Sequence, residues 1–155
     1  MMHVRDLQAE ELGVLLPDSP AARIRFLVEA GDALARSGEG DVVVVGDAGR
    51  TFAAAAAGYE APFGDATVVI APTRDAAADL RGLLADLEAR SVQRRCLGLV
   101  GVVDAPDETA RRLLESLGYE ITGAGVVVWT EDAATGAAER RADVWRLRKT
   151  ISEGG

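Results

Sequence analysis

The chain has 155 residues, of which 48% are hydrophobic, 27% charged and 5% aromatic, and these values predict one globular domain over residues 1–155. Its formal net charge of −8 disfavours binding to nucleic acid, because proteins that hold phosphate backbones present a basic surface. No apolar run is long enough to cross a bilayer and the N-terminal segment is not secretory in pattern, so we expect a cytoplasmic protein that does not bind membranes.

The sequence offers few residues for metal binding or nucleophilic catalysis. His3 is its only histidine and Cys96 its only cysteine. A Ser-His-Asp triad or a multi-histidine metal site would have to be built around His3, near the beginning of the chain. One cysteine allows neither a disulfide framework nor a cysteine-rich metal site. We therefore predict no metal centre.

The first forty residues predict a short strand followed by two helices. Residues 3–7 (HVRDL) are a candidate edge strand, and residues 8–36 are helical in pattern. Two prolines in LPDSP (16–20) end one helix and begin another. In the second helix, the apolar residues near helical spacing are Ile24, Leu27, Val28 and Leu34.

The middle of the chain predicts three strands joined by turns. Residues 42–45 form the first strand, and the glycines of GDAG (46–49) suit a tight turn. The return strand covers residues 51–59, although its five consecutive alanines favour a strand less than branched residues would. The segment FGD turns the chain again, and ATVVIAP (66–72) is the third strand.

The second half of the chain alternates strands with helices. A helix from about Asp75 to Arg90 precedes the apolar strand CLGLVGVVD, and Asp107 is a natural N-cap for a helix that ends at Gly118. Two last strands, YEITGAGVVVWTED and RADVWRLRKTI, are joined by the polar AATGAAER. The order is therefore β-α-α-β-β-β-α-β-α-β-β, an α/β domain with a mixed, mostly antiparallel sheet.

Three segments in this order resemble the GNAT superfamily of acyl-CoA-dependent N-acyltransferases. VVIAP and the amphipathic helix after it are similar to the family's fourth strand and cofactor-binding helix. GLVGVVDAPDETARRLLESLGYEITG is similar to the family's strand, N-x-x-A and helix ending L-Y-x-x-L-G-F. DVWRLRKTI is similar to the closing strand, in which the matching positions are Trp145, Leu147, Lys149 and Ile151.

The resemblance implies that acetyl-CoA, or another acyl-CoA, binds where the fourth strand meets its helix. The pantetheine arm would pair with Val69, Ile70 and Ala71. The pyrophosphate would lie at the helix N-terminus, near Arg74, Ala76, Ala77 and Ala78. The family loop reads Q/R-x-x-G-x-G/A, so alanine replaces glycine here and Asp75 and Asp79 add negative charge. The same segment is equally an ordinary helix start with a solvated arginine, and the sequence leaves both interpretations open.

The resemblance also suggests catalytic groups. In the family a carboxylate near the fourth strand can accept the proton of the amine, which implies Asp65 or Glu60, although each also suits a solvated turn. The tyrosine that often protonates the leaving thiolate is replaced by Leu114. Asp107 stands where the family often has asparagine.

Two functions follow from the resemblance. The first is an N-acyltransferase that moves an acyl group, most simply acetyl, from acyl-CoA to an amine of a small molecule or a protein. The second is a GNAT-fold binding or regulatory module without catalysis, which the altered loop, the missing tyrosine and the extra acids favour. The direction of Asp75 and Asp79 would discriminate between them. A homodimer through the last strands is an open alternative.

Overall fold

The structure is a computed structural model that describes residues 3–6, 20–47, 50–71, 77–130 and 139–151. Its elements are β1 (His3–Asp6), α1 (Pro20–Ser37), β2 (Gly40–Asp47), β3 (Arg50–Tyr59), β4 (Asp65–Ile70), α2 (Ala77–Gln93), β5 (Gly98–Asp104), α3 (Glu108–Ser116), β6 (Glu120–Thr130) and β7 (Glu139–Thr150). The predicted α/β class is confirmed. The helix predicted before LPDSP lies outside the described residues. Within the described ranges, no helix combines the length and apolarity that a membrane crossing requires.

One sheet of seven strands organises the described residues, in the order β1-β2-β3-β4-β5-β7-β6. Neighbouring strands are antiparallel except β4 and β5, which are parallel and connected through α2. A parallel pair needs such a long crossover. The β4–β5 ladder is short: it begins at Asp65–Gly98 and ends at Val68–Gly101, although both strands continue beyond it. The two strands therefore separate toward their C-terminal ends.

The run of five alanines in β3 is explained by its position at the centre of the sheet. All five, residues 53–57, are fully buried. Ala54 and Ala56 pack with Phe26 and Ala30 of α1 on one face. The other three alanines face the opposite side and join the core formed with α2. Small side chains let helices approach both faces, so packing outweighs the weak strand preference of alanine.

The buried face of α1 differs from the one that the apolar pattern indicated. The buried residues are Phe26, Ala30 and Ala33, at the spacing i, i+4, i+7 of one helix face. Val28, a predicted core residue, is 36% exposed. The helix lies against the alanine strand through Phe26 and the small Ala30, and Leu27 is only partly buried beside them.

The predicted capping of α3 is confirmed. The Asp107 carboxylate accepts a hydrogen bond of 3.0 Å from the Ala110 backbone N–H. Gly118, just after the helix, has a φ of 98°, which glycine adopts without strain. Leu113 and Leu114 face the core. These contacts fix α3 beside the separated end of β5.

Candidate functional site

The separation of β4 from β5 opens a cavity of about 1170 Å³. On one face of the sheet its wall includes the α1 residues Arg25, Glu29, Asp32, Ala35 and Arg36. On the other face its wall includes Leu80 of α2 and the α3 residues Thr109, Ala110 and Leu113. Because helices from both faces line it, the cavity passes through the sheet.

Backbone groups of β4 face this gap without a strand partner. Ala71 donates to the Ala54 carbonyl of β3 at 3.0 Å, so the odd-numbered residues of β4 bond β3 and the even-numbered ones point toward β5. Ala66 and Val68 lie within the β5 ladder, but Ile70 lies beyond its last pair. The polar backbone of Ile70 is therefore directed into the cavity and remains open to an extended ligand.

A cluster of charged side chains forms the α1 side of the cavity. Arg25 donates two hydrogen bonds to the Asp104 carboxylate, at 2.7 and 2.6 Å. Its Nε lies 3.5 Å from Glu29 Oε2, and its guanidinium carbon lies 4.5 Å from the centre of the Trp129 ring. This guanidinium joins α1, β5 and β6, and the two-pronged contact fixes its orientation.

Glu29 is the carboxylate with the most altered environment in this cluster. Burial raises the pKa of its carboxyl above the ordinary value, Arg25 opposes that rise, and the nearby Asp104 and Asp32 add to it. A desolvated carboxylate that lines a cavity is a candidate proton acceptor. The sequence analysis did not select Glu29.

A sequence signal for this cluster did exist. Arg25, Glu29, Asp32 and Arg36 recur at i, i+4, i+7 and i+11, which places them on one face of α1. This charged stripe lies one residue from the buried stripe of Phe26, Ala30 and Ala33, and not on the opposite face. Charges beside a buried face, rather than opposite it, place polar groups at the edge of the core.

Arg146 of β7 supplies a further charge on the same face of the sheet. It pairs in register with Val102 of β5 and lines the cavity. Its guanidinium carbon lies 3.2 Å from the point that a Cβ on Gly125 would occupy, so glycine leaves it room above β6. Within the described ranges, no ion pair or side-chain hydrogen bond engages this guanidinium.

Solved structures share this architecture over its full length, although no family model and no curated protein matches the chain. A provisionally assigned acetyltransferase from Salmonella typhimurium, solved with its cofactor acetyl-CoA, is 17% identical with a TM-score of 0.68, over 99% of this chain and 96% of its own. The ribosomal-protein-alanine N-acetyltransferase from Brucella melitensis is 19% identical with a TM-score of 0.66, over 96% and 99%. The ribosomal-protein-S18-alanine N-acetyltransferase from Escherichia coli is 20% identical with a TM-score of 0.64, over 100% and 97%.

The chain has the GNAT fold. The resemblance inferred from its sequence motifs is confirmed at the level of the fold. The β4–β5 cavity lies where the GNAT motifs placed the acyl-CoA arm, at the end of VVIAP.

The structure brings some of the residues that were predicted to bind the cofactor to the cavity. Val69 and Ile70 line it, and Ala71 is buried against the α1 side. Ala77 and Ala78 form the first residues of α2. Arg74 and Ala76 lie outside the described residues, as do Asp75 and the side chain of Asp79. Their predicted roles stay predictions.

Asp65 and Glu60 lie at the opposite end of β4 from the separated strands, and neither lines the cavity. Asp65 begins β4, where Arg148 donates two hydrogen bonds to its carboxylate, at 3.0 and 2.9 Å. Glu60 is exposed in the turn before the strand. Their role as general base stays a prediction, and the carboxylates that line the cavity are Glu29, Asp32, Asp104 and Asp107.

The positions that could supply a general acid are apolar or buried. Leu114, at the place of the GNAT tyrosine, is fully buried and packs where a Cβ on Gly101 would touch it at 3.4 Å. Tyr119 is 4% exposed, and burial raises the pKa of its phenol. Neither side chain is placed to protonate a group inside the cavity.

Proposed function

We propose that this protein is an N-acyltransferase that moves an acyl group, most simply acetyl, from acyl-CoA to an amine. The observation that carries the proposal is the cavity through the sheet, because it lets an acyl donor and an amine meet from opposite faces. The N-acetyltransferases named above share the fold, and the Salmonella protein was solved with acetyl-CoA. Likeness of fold supports the reaction class and not the acceptor.

The residues of the cavity suit an acyl-CoA arm. The open backbone of Ile70 offers hydrogen bonds to an extended amide chain, which would take the place of the missing strand partner. The pyrophosphate would lie near Ala77 and Ala78, where α2 begins in the described part of the chain, because a helix N-terminus favours an anion. Bound acyl-CoA would supply the acyl group as a reactive thioester.

Glu29 is the residue that we assign to proton transfer. Its carboxylate accepts a proton from the amine while the amine nitrogen bonds to the thioester carbon and the carbon–sulfur bond breaks. Arg25 holds Asp104 and leaves Glu29 with one contact of 3.5 Å, so that carboxylate is oriented but not fully paired. Water supplies the proton to the departing sulfur, because Leu114 cannot.

A GNAT-fold module that binds without catalysis is the second candidate. Two observations favour it: Leu114 is apolar and fully buried, and the carboxylate of Asp107 lines the cavity. This module would bind a ligand in the cavity but would release no thiol from acyl-CoA in the presence of any amine.

The first test is calorimetric titration with acetyl-CoA, in wild type and in two variants at Ile70. Ile70→Pro removes the N–H that points into the gap, and Ile70→Val is the matched control. We expect binding by wild type and the control, and affinity about 3- to 10-fold lower for Ile70→Pro, as for one lost hydrogen bond. Absence of acetyl-CoA binding by the wild type would refute the acyltransferase proposal.

The second test separates the enzyme from the module. Thiol release from acetyl-CoA is followed with a panel of amines, using wild type, Glu29→Gln and Asp65→Asn. The enzyme hypothesis expects amine-dependent release that Glu29→Gln abolishes and Asp65→Asn retains. Binding of acetyl-CoA without release by any amine would favour the module.

A further inference from the structure

Three arginines line the cavity in the described part of the chain, and they differ in their partners. Arg25 is bound by Asp104 through two hydrogen bonds. Arg36 donates to the Asp32 carbonyl of its own helix at 3.4 Å. Arg146 has no such contact among the described residues, although the protein carries a net charge of −8. An arginine that faces a cavity without a counter-ion in an acidic protein is available to an anionic ligand.

The cavity carboxylates do not neutralise Arg146. Asp104 is bound by Arg25, and Asp107 accepts from the Ala110 N–H as the cap of α3. On α1, the Glu29 carboxylate lies near Arg25, whereas Asp32 contacts Arg36 only through its backbone carbonyl. Among the described residues, no ion pair joins the Asp32 carboxylate to Arg146. The α1 face of the cavity therefore presents a proton-accepting carboxylate on the helix and an uncompensated guanidinium on the sheet.

We propose that the acyl acceptor is an amine that also carries a carboxylate, as a free amino acid does. Arg146 binds the carboxylate, and Glu29 accepts the proton of the amine. This inference rests on the proposed function and adds the acceptor class to it. A guanidinium fork matches a carboxylate with two parallel hydrogen bonds, so Arg146 acts as a specificity residue.

The test compares acceptors that differ only in the carboxylate. Thiol release from acetyl-CoA is measured for a set of amino acids and for their amides, with wild type, Arg146→Gln and Arg112→Gln. Arg112 is the control because it lies outside the cavity with a side chain that is 75% exposed. We expect Arg146→Gln to lower kcat/KM for the amino acids by about 10- to 100-fold and to leave the amides unchanged. Each acceptor is compared between the variant and the wild type, so the intrinsic difference in reactivity between amino acids and their amides cancels.

Two further arms separate this inference from the proposed function. Arg146→Gln should bind acetyl-CoA as wild type does; weaker binding would assign Arg146 to the cofactor and overturn the inference. The amino acids and amides are also titrated without acyl-CoA, so the result does not depend on transfer. Binding of amino acids that requires Arg146 supports the inference even where no transfer occurs. If amino acids show neither binding nor acyl transfer that depends on Arg146, the inference is overturned.

The anionic group is identified by a third acceptor, O-phosphoethanolamine. If Arg146 binds a carboxylate, the best amino acid should have a higher kcat/KM than O-phosphoethanolamine with the wild-type protein. A preference for O-phosphoethanolamine that Arg146→Gln removes would show that Arg146 recognises a phosphate group, and would overturn the carboxylate assignment. Equal effects of Arg146→Gln on amino acids and amides would overturn the role of Arg146 in acceptor choice.

Discussion

Glu29 shows how one side chain can gain reactivity at some expense of stability. Its carboxyl is largely withdrawn from water at the edge of the α1 core, and Arg25 contacts it only at 3.5 Å. Burial raises its pKa, so the ionised form is disfavoured in the folded protein. The same desolvation makes the ionised carboxylate a stronger proton acceptor, which is the property that the proposed reaction uses.

Glu29→Gln should therefore separate activity from stability. The amide cannot accept the proton, and we expect kcat to fall by about 10²- to 10⁴-fold, the usual contribution of general acid–base catalysis. A carboxyl with a raised folded pKa loses stability as the pH rises through that pKa, and glutamine is free of this loss. Relative to wild type, the variant should gain thermal stability at pH 8 compared with pH 4, because the loss begins at the ordinary carboxyl pKa. A lower relative stability at pH 8 would contradict the burial argument.

Arg25→Gln should move the pH dependence of the reaction. Arg25 lowers the pKa of Glu29 against the larger effect of burial, so its removal should raise that pKa further. The proposed reaction requires the ionised carboxylate, so the acid limb of the kcat/KM profile should shift to higher pH. Asp65→Asn, which lies outside the cavity lining, is the control and should leave the limb in place. A shift to lower pH would show that another group controls the limb.

At the scale of elements, the alanine strand fixes how closely α1 approaches the sheet. A Cβ on Gly58, at the end of β3, would collide with the backbone carbonyl of Ala33 in α1. Both atoms belong to backbones, so neither can move aside without shifting a whole element. The contact between α1 and β3 is therefore close both at the alanines of the strand and at Gly58, which follows them.

Two glycine-to-alanine substitutions test this approach. Gly58→Ala should destabilise the protein by about 1–3 kcal/mol through overpacking. Gly31→Ala is the matched control, because nothing lies within 4 Å of the position its Cβ would take and it lies in the middle of α1. Alanine there should stabilise by about 0.5–1 kcal/mol. Thermal or urea unfolding measures both, and equal effects would contradict the close approach of α1.

A charge network joins α2 to the first strands. Arg90 contacts Asp6 of β1 at 2.7 Å and Asp41 of β2 at 3.3 Å. Arg94 lies 3.5 Å from Asp41 and 4.4 Å above the centre of the Tyr59 ring. The Tyr59 hydroxyl donates to Asp41 at 3.0 Å. Asp41 therefore contacts three side chains, those of Arg90 and Arg94 of α2 and of Tyr59 of β3.

Removal of Asp41 should loosen the contact between α2 and β2. Asp41→Ala leaves the buried Tyr59 hydroxyl without its acceptor, and we expect a loss of about 1–3 kcal/mol in unfolding free energy. Arg112→Ala removes an exposed pair with Glu108 and should change stability by less than about 0.5 kcal/mol. Urea unfolding compares the two. A loss from Asp41→Ala as small as the control's would place the network among ordinary surface pairs.

For the whole molecule, the sequence predicted the order of elements better than it predicted the site. Long amphipathic segments and the capping of α3 depend on residues close together in the chain, and these predictions are confirmed. The buried face of α1 was missed because alanine carries a weak apolar signal. The cluster of Glu29 with Asp104 was missed because Asp104 lies 75 positions after Glu29 in the chain, and only the folded sheet brings the two together. The strand predicted over residues 51–59 is confirmed as β3, but its alanines are explained only by the helices that pack on both of its faces.

The passage through the sheet leads to a prediction about the order of the reaction. An acyl donor and an amine that enter from opposite faces can be bound at the same time, so the transfer needs no covalent acyl-enzyme intermediate. Among the described residues that line the cavity, only Thr67 and Thr109 carry a hydroxyl group. No cysteine is among these lining residues. Cys96 is fully buried, and burial raises the pKa of its thiol, so it is not a nucleophile.

Initial rates should therefore follow a sequential pattern. With acetyl-CoA and an acceptor varied together, double-reciprocal plots should intersect, because both substrates must be present before thiol is released. Parallel plots, the sign of a covalent acyl-enzyme, would contradict direct transfer through the cavity. Cys96→Ala should keep kcat/KM within about twofold, since a buried thiol outside the cavity takes no part in the chemistry. Intersecting plots in both proteins would show that both substrates are bound before thiol is released, as direct transfer requires.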